Sequence, residues 1–175
     1  DSFFILYEAV DVSENKKVFI QLLTEKSTHR PFEILLRFKR EVELASKINH
    51  PNLLKVHSLA ESDGSEYLIL EHVEAEPFIK YLKRPSDTDK AVQIILQLAY
   101  SLDALHKQGL LHQAIQPPSI LFDQASNNVK LFNFGYHLLR DISRVSEPAE
   151  VISTFGYLSP ESSGILRKPV DSRSD

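Results

Sequence analysis

Cysteine does not occur among the 175 residues of this chain, which excludes disulfides and thiolate metal sites. Its absence fits a reducing compartment, and a cytoplasmic setting is the expectation. Methionine is missing as well and the chain opens at Asp1, so a piece cut from a longer polypeptide is expected. No apolar run reaches membrane-spanning length and no signal-peptide pattern is present, so membrane insertion is not expected. The seven histidines (His29, His50, His57, His72, His106, His112, His137) show no ligand spacing of the HExxH kind, and no metal site is expected from them. A dominant charge of one sign is also lacking. The net charge of −4 and pI near 6.0 give no global pull toward nucleic acid or an anionic membrane. Internal repeats and low-complexity stretches are absent too. What remains is 42% hydrophobic and 25% charged, the composition of a folded globular chain long enough to bury a real core.

Hydrophobic periodicity changes along the chain. Phe3 to Asp11 and Lys17 to Leu23 are β-prone runs separated by Ser13-Glu14-Asn15-Lys16, a hairpin pattern. From Pro31 onward, Leu35, Phe38, Val42, Ala45 and Ile48 recur three or four apart, predicting an amphipathic helix that stops before His50-Pro51-Asn52. Two strands are expected over Leu53–Leu59 and Tyr67–Val73, joined by Ser62-Asp63-Gly64-Ser65. The second half reads as a short helix from Pro77 to Lys83 and a long one from Asp89 to about Lys107, with Gly109 suited to its C-terminal cap. Two short strands, Ser119–Phe122 and Val129–Phe132, follow in hairpin fashion. Everything after Gly135 looks polar and irregular. The pattern supports an α+β fold with two lobes, a small lobe over 1–74 and the first part of a large lobe over 75–175.

The local words, in this order and at these spacings, make the chain resemble a eukaryotic-type protein kinase domain. They are Arg40-Glu41-Val42 ahead of Asn49-His50-Pro51-Asn52, then Leu105-His106 ahead of Gly109-Leu110-Leu111-His112. Asn133-Phe134-Gly135 stands where that family has D-F-G, and Ser159-Pro160-Glu161 where it has A-P-E. The tail from Tyr157 to Gly164, followed by Asp171 to Asp175, is similar to kinase-like domains at the N-terminal end of multidomain signalling proteins. In those proteins an AAA-type ATPase module, a GAF sensor and often a histidine kinase follow. By the same resemblance the fold is truncated. Position 1 falls inside the glycine-rich loop, so the first strand is missing. Asp175 corresponds to the aspartate that opens the central large-lobe helix, so the later large-lobe helices are missing too.

The resemblance also implies what chemistry should be here. Phosphoryl transfer in this family rests on a strand lysine, two metal ions and an aspartate that orients the attacking hydroxyl. Val18-Phe19-Ile20-Gln21 replaces V-A-I-K, so the lysine is the neutral Gln21. Glu41 loses its ion-pair partner and reads as a solvated helix carboxylate. Phe19 replaces a small alanine that packs on adenine; it would fill that space, or simply face the core as a strand aromatic. The catalytic loop reads His112-Gln113-Ala114-Ile115-Gln116-Pro117-Pro118-Ser119. Ala114 cannot accept a proton, Gln116 replaces the loop lysine, Ser119 the metal-binding asparagine, and Gln113 the arginine that answers a phosphorylated segment. His112 reads as a core histidine stacked under the D-F-G phenylalanine. Asn133 replaces the principal magnesium ligand, without the negative charge that ion favours. Phe4 stands at the third glycine of the loop and obstructs approach to phosphates. Leu70, Glu71, Val73 and Leu121 occupy the remaining pocket positions. The apolar stacks survive: Ala45, Val56, His112 and Phe134 in one, Leu6, Phe19 and Leu121 in the other.

That combination describes a pseudokinase, a catalytically inactive regulatory or interaction domain of a larger signal-transduction protein. No cofactor is expected. The alternatives are an atypical kinase, or a sensor that binds ATP, with or without magnesium, and does not hydrolyse it, the Glu71-His72-Val73 hinge offering backbone hydrogen bonds. Asp123 and Glu161 are nearby acids, but neither is placed to act as base. The expected partners are other domains of the same polypeptide and signalling proteins, with no nucleic acid. Ser143, Ser146, Ser153 and Thr154 lie in the segment after Gly135, and no regulatory role is assigned to them.

Overall fold

The computed structural model describes residues 4–25, 29–82, 87–139 and 155–175. Strands β1 (Phe4–Asp11) and β2 (Lys16–Leu23) form the expected hairpin, with Phe19 opposite Glu8 and Gln21 opposite Leu6. Strands β3 (Val56–Ser62) and β4 (Ser65–Glu71) complete a four-stranded antiparallel sheet in the order β1-β2-β4-β3. Helix α1 (Phe32–Ser46) packs on it through Phe38, Val42 and Ala45, the buried members of its apolar stripe.

The second group of elements starts with β5 (Glu76–Pro77) and a 3-10 turn over Phe78–Lys80. The predicted helix from Pro77 shrinks to this single turn, because Pro77 is engaged in β5, opposite Leu121; Lys83 lies outside the described residues. Helix α2 (Thr88–His106) is capped by the Asp87 carboxylate, which accepts from the Asp89 amide at 3.0 Å. Gly109 follows it in the left-handed region at φ 71°, its amide donating to His106. Strands β6 (Ile120–Asp123) and β7 (Asn128–Leu131) pair with β5 in a second sheet.

Two departures from the sequence pattern bear on the site. The expected strand from Leu53 begins only at Val56, because residues 52–54 pair elsewhere. Leu54 N donates to Leu131 O at 2.9 Å and Leu131 N to Asn52 O at 2.8 Å, bridging Leu53 to the edge of β7. The Asn52 side chain reinforces this, donating to Gln97 Oε1 (2.8 Å) and Val129 O (3.0 Å). The small lobe is thereby stitched to the large one. The second departure is that the chain after Gly135 is not irregular at once. It forms the one-turn helix α3 (Tyr136–Leu139), which packs against α1.

One hydrophobic cluster runs through both lobes, from Phe19 and Leu23 through Phe38, Val42 and Leu54 to Leu121, Leu131 and Leu139. This is an α+β fold of two lobes.

Candidate functional site

Strand alternation puts Phe19 and Gln21 on the same face of β2, the face turned to the other lobe. Both are buried, Gln21 to 2% exposure. A buried amide must find partners. Gln21 finds one across the cleft: its Nε2 donates to Asn133 Oδ1 at 2.6 Å. Asn133 follows β7 in the left-handed region at φ 69°, which asparagine tolerates better than most residues. Its other side-chain atom, Nδ2, donates to Ser119 Oγ at 3.4 Å, and Ser119 is fully buried at the end of the 3-10 turn Pro117–Ser119. Three of the altered positions thus form one ladder of neutral groups, Gln21–Asn133–Ser119.

This ladder does not fit a magnesium ion. The Asn133 carbonyl oxygen is already accepting, Ser119 offers a hydroxyl with no charge, and no carboxylate belongs to the set, whereas Mg²⁺ is held through carboxylates and phosphates. Ala114 is buried at 4% exposure and carries no group that could take a proton. Gln116, half-buried, leads into the 3-10 turn. At the other end of the cleft the Phe19 ring lies 4.8 Å from that of His72, tilted by 38°. Phe19, Leu70 and Leu121 belong to the shared core, with Val73 packed against it. Leu6 does not join them; at 36% exposure it lies on the open edge strand. The Glu71 carboxylate is engaged, accepting from Lys130 Nζ at 2.6 Å and the Lys55 amide at 2.8 Å.

Glu41 is not the solvated carboxylate its sequence context suggests. Its side chain is 22% exposed and faces His137 of α3, Oε2 to Nε2 at 3.9 Å. Burial raises its pKa, opposed by the nearby Arg37. His137 is pushed down to about 4, first by burial, then by repulsion from His112 and Arg37. The contact is therefore not an ion pair at neutral pH. Gln113, at φ 52°, donates its Nε2 to His137 Nε2 at 3.2 Å. The other ring nitrogen, Nδ1, is buried.

His112 has 1% exposure; its Nε2 donates to Phe132 O at 2.8 Å and its ring meets Phe134 edge-on at 5.9 Å. Burial lowers its pKa. Asp175 holds the backbone here, accepting from the amides of His112 (2.8 Å) and Gln113 (2.5 Å) and from His106 Nε2 (2.8 Å). Asp123 caps its own hairpin turn, accepting from the Ala125 amide at 2.9 Å, and Glu161 accepts from Ser174 Oγ at 2.5 Å. Their bonds run to Ala125, Ser126 and Ser174, not to the ladder. Ser143, Ser146, Ser153 and Thr154 lie outside the described residues.

Sequence reasoning missed α3. Tyr136 packs its ring 5.4 Å from Phe4, and Arg30 donates through Nε to Leu139 O at 2.9 Å. The run Tyr136-His137-Leu138-Leu139 is too short for periodicity to register, although two aromatic rings and two leucines directly after Gly135 were a compositional signal.

Fold and cleft together define a two-lobed kinase-like domain. Residues 2–175 match the protein kinase domain, and the chain belongs to that family. It is 30% identical to serine/threonine-protein kinase PknB of Mycobacterium leprae over 174 residues, covering 95% of this chain and 27% of the relative. It is 31% identical to serine/threonine-protein kinase pkn2 of Myxococcus xanthus over 176 residues, covering 97% and 21%. The chain thus spans about a quarter of the length of such relatives. The crystal structure of the Mycobacterium tuberculosis PknI kinase domain superposes with a TM-score of 0.76 at 23% identity, covering all of this chain and 65% of that one. Among the described residues no helix is long and apolar enough to cross a membrane, and no group of three or more His, Cys, Asp or Glu could hold a metal ion.

Proposed function

We propose that this chain is a pseudokinase domain, a regulatory or interaction module of a larger signalling protein that does not transfer phosphate. The observation that carries the reading is the neutral ladder Gln21–Asn133–Ser119, at positions where the resemblance calls for a lysine and two metal ligands. Charge stabilisation is the main resource of phosphoryl transfer, and these positions supply none. Ala114 removes the positioned base as well, a loss worth about a hundredfold to ten-thousandfold by itself. Phe19 against His72 crowds the adenine end, and Phe4 against Tyr136 crowds the phosphate end. The preserved apolar packing around His112 and Phe134 supports a fixed shape used for contacts. Its partners would be other domains of the same polypeptide or signalling proteins, including the AAA, GAF and histidine-kinase modules of the proteins it resembles.

The test is a thermal-shift titration with ATP, with and without Mg²⁺, on the full domain. No shift at millimolar nucleotide is expected. A shift with ATP alone would favour the sensor reading, and a shift that requires Mg²⁺ would overturn the pseudokinase reading.

A further inference from the structure

The geometry points to a latch built from the chain's own side chains: the Gln21–Asn133 hydrogen bond fixes the spacing of the two lobes independently of nucleotide. Gln21 is on β2 of the small lobe and Asn133 follows β7 of the large one, 112 residues apart in sequence and 2.6 Å apart at the bonded atoms. The bond is directed. Asn133 is oriented by its second bond, Nδ2 to Ser119 Oγ, which leaves Oδ1 facing Gln21. Gln21 is sealed from water at 2% exposure, so breaking the bond by opening the cleft would expose both amides and part the core around them.

The chemistry of the pair separates it from a lysine and an aspartate at the same positions. A charged pair that must also serve phosphate and metal needs those ligands to complete its field. Two amides are complementary to one another, donor to acceptor, and require nothing further. Two contacts flank the bond across the same cleft, Phe4 on Tyr136 and Glu41 against His137. This goes beyond the absence of phosphotransfer: an inactive domain could still open and close, and this one is held.

These 175 residues contain no cysteine, so once any cysteine elsewhere in the full-length protein is replaced, a spin-label pair can be placed at exposed Glu33 of α1 and Gln108 beyond α2. In the full-length protein, with Glu33→Cys and Gln108→Cys as the only labelled pair, electron–electron distance measurement should give a single narrow distribution that Mg·ATP does not move. Gln21→Met, which keeps volume and removes the donor, should broaden or lengthen it. Gln21→Lys, whose ammonium can donate to Asn133 Oδ1, should keep it narrow. Should Gln21→Met fail a circular-dichroism check of folding, Asn133→Gly removes the acceptor at a φ that glycine accepts, and should broaden the distribution likewise. A broad wild-type distribution, one that shifts with Mg·ATP, or a folded Gln21→Met or Asn133→Gly protein indistinguishable from wild type would overturn the latch. Radiolabel transfer is read separately. Transfer at fixed spacing would sink the pseudokinase reading alone, and variable spacing without transfer would sink the latch alone.

Discussion

Gly135 lies directly against the ring of Phe38: a Cβ placed on it would come within 2.9 Å of Phe38 Cδ2, and its φ is 72°. Two constraints therefore act on one residue. Left-handed backbone costs a non-glycine residue about 1–2 kcal/mol, and crowding a packed core adds about 1–3 kcal/mol. Gly135→Ala should destabilise the domain by about 2–5 kcal/mol in chemical denaturation. Gly109, at φ 71° with nothing near its would-be Cβ, isolates the backbone part, so Gly109→Ala should cost only about 1–2 kcal/mol. Equal losses would mean that Phe38 moves aside freely and that α3 is not seated as described.

His137 makes stability depend on pH. Its folded pKa is about 4 against an ordinary 6.5, so the unfolded chain binds a proton more readily than the folded one. Its contribution is complete above 6.5 and is lost as pH falls toward 4, up to about 3 kcal/mol. Glu41 runs the other way. Its raised pKa contributes below the ordinary carboxylate value and fades as pH rises through the folded one. Arg37, His112 and Asp175 also act on His137 and persist when it is replaced. The difference in Tm between His137→Gln and wild type should therefore shift in favour of the variant between pH 6.5 and 4. A constant difference would show that His137 is not buried in its neutral form.

Asp175 has a fully buried side chain and accepts three hydrogen bonds. Asp175→Asn keeps the shape but turns one acceptor oxygen into a donor facing backbone amides. Hydrogen bonds to a charged group are worth about 1.5–3 kcal/mol each, so a loss of about 3 kcal/mol is expected. Amide hydrogen exchange at His112 and Gln113 should rise with it. Unchanged exchange at those two amides would place the anchor of the loop elsewhere.

The sequence carried the large periodic elements well. The long run of α2 came out within one residue at each end, while α1 ended at Ser46, before the expected stop ahead of His50 and before Ile48. Burial of one helix face imposes the 3.6-residue repeat but does not mark where the last turn stops. What it hid was set by long-range pairing. Leu53 looked like the start of a strand because it is apolar, yet it bridges β7, which no local pattern encodes. Helix α3 escaped because four residues cannot display a period. In the cleft, kinship of motif located Gln21, Ser119 and Asn133 as altered positions. That the replacements bond to one another depends on geometry across 112 residues of chain. Glu41 was misjudged for the same reason, since its lost partner was visible in sequence and its new neighbour His137 was not.

Helix α2 presents an apolar stripe to solvent: Val92 (50% exposed), Ile95 (64%), Leu96 (49%) and Tyr100 (61%) lie along one side of its surface. Contiguous apolar patches of this kind drive association. Residues 1–175 alone should self-associate, and Ile95→Glu with Tyr100→Glu should shift the material toward monomer in sedimentation velocity. A monomeric wild-type fragment with a cooperative thermal transition would contradict this.

Phe19 provides the most direct handle on the cleft. Its ring is 5% exposed, packs on His72 and belongs to the core that joins Leu70 and Leu121. Removing a buried phenylalanine costs about 3–5 kcal/mol through lost burial and the cavity left behind, so Phe19→Ala should melt well below wild type. The cavity would open at the hinge between Leu70 and Leu121, where the family accommodates adenine. If the ring is what closes that space, adenosine should raise the Tm of Phe19→Ala while leaving wild type unmoved. Adenosine is the proper probe because it lacks phosphates and does not consult the Gln21–Asn133–Ser119 ladder. A shift in both proteins would mean that Phe19 leaves the adenine space open. A shift in neither, with the variant still folded, would mean that the surrounding residues collapse into the gap, and the occlusion would then belong to the whole hinge region and not to this ring.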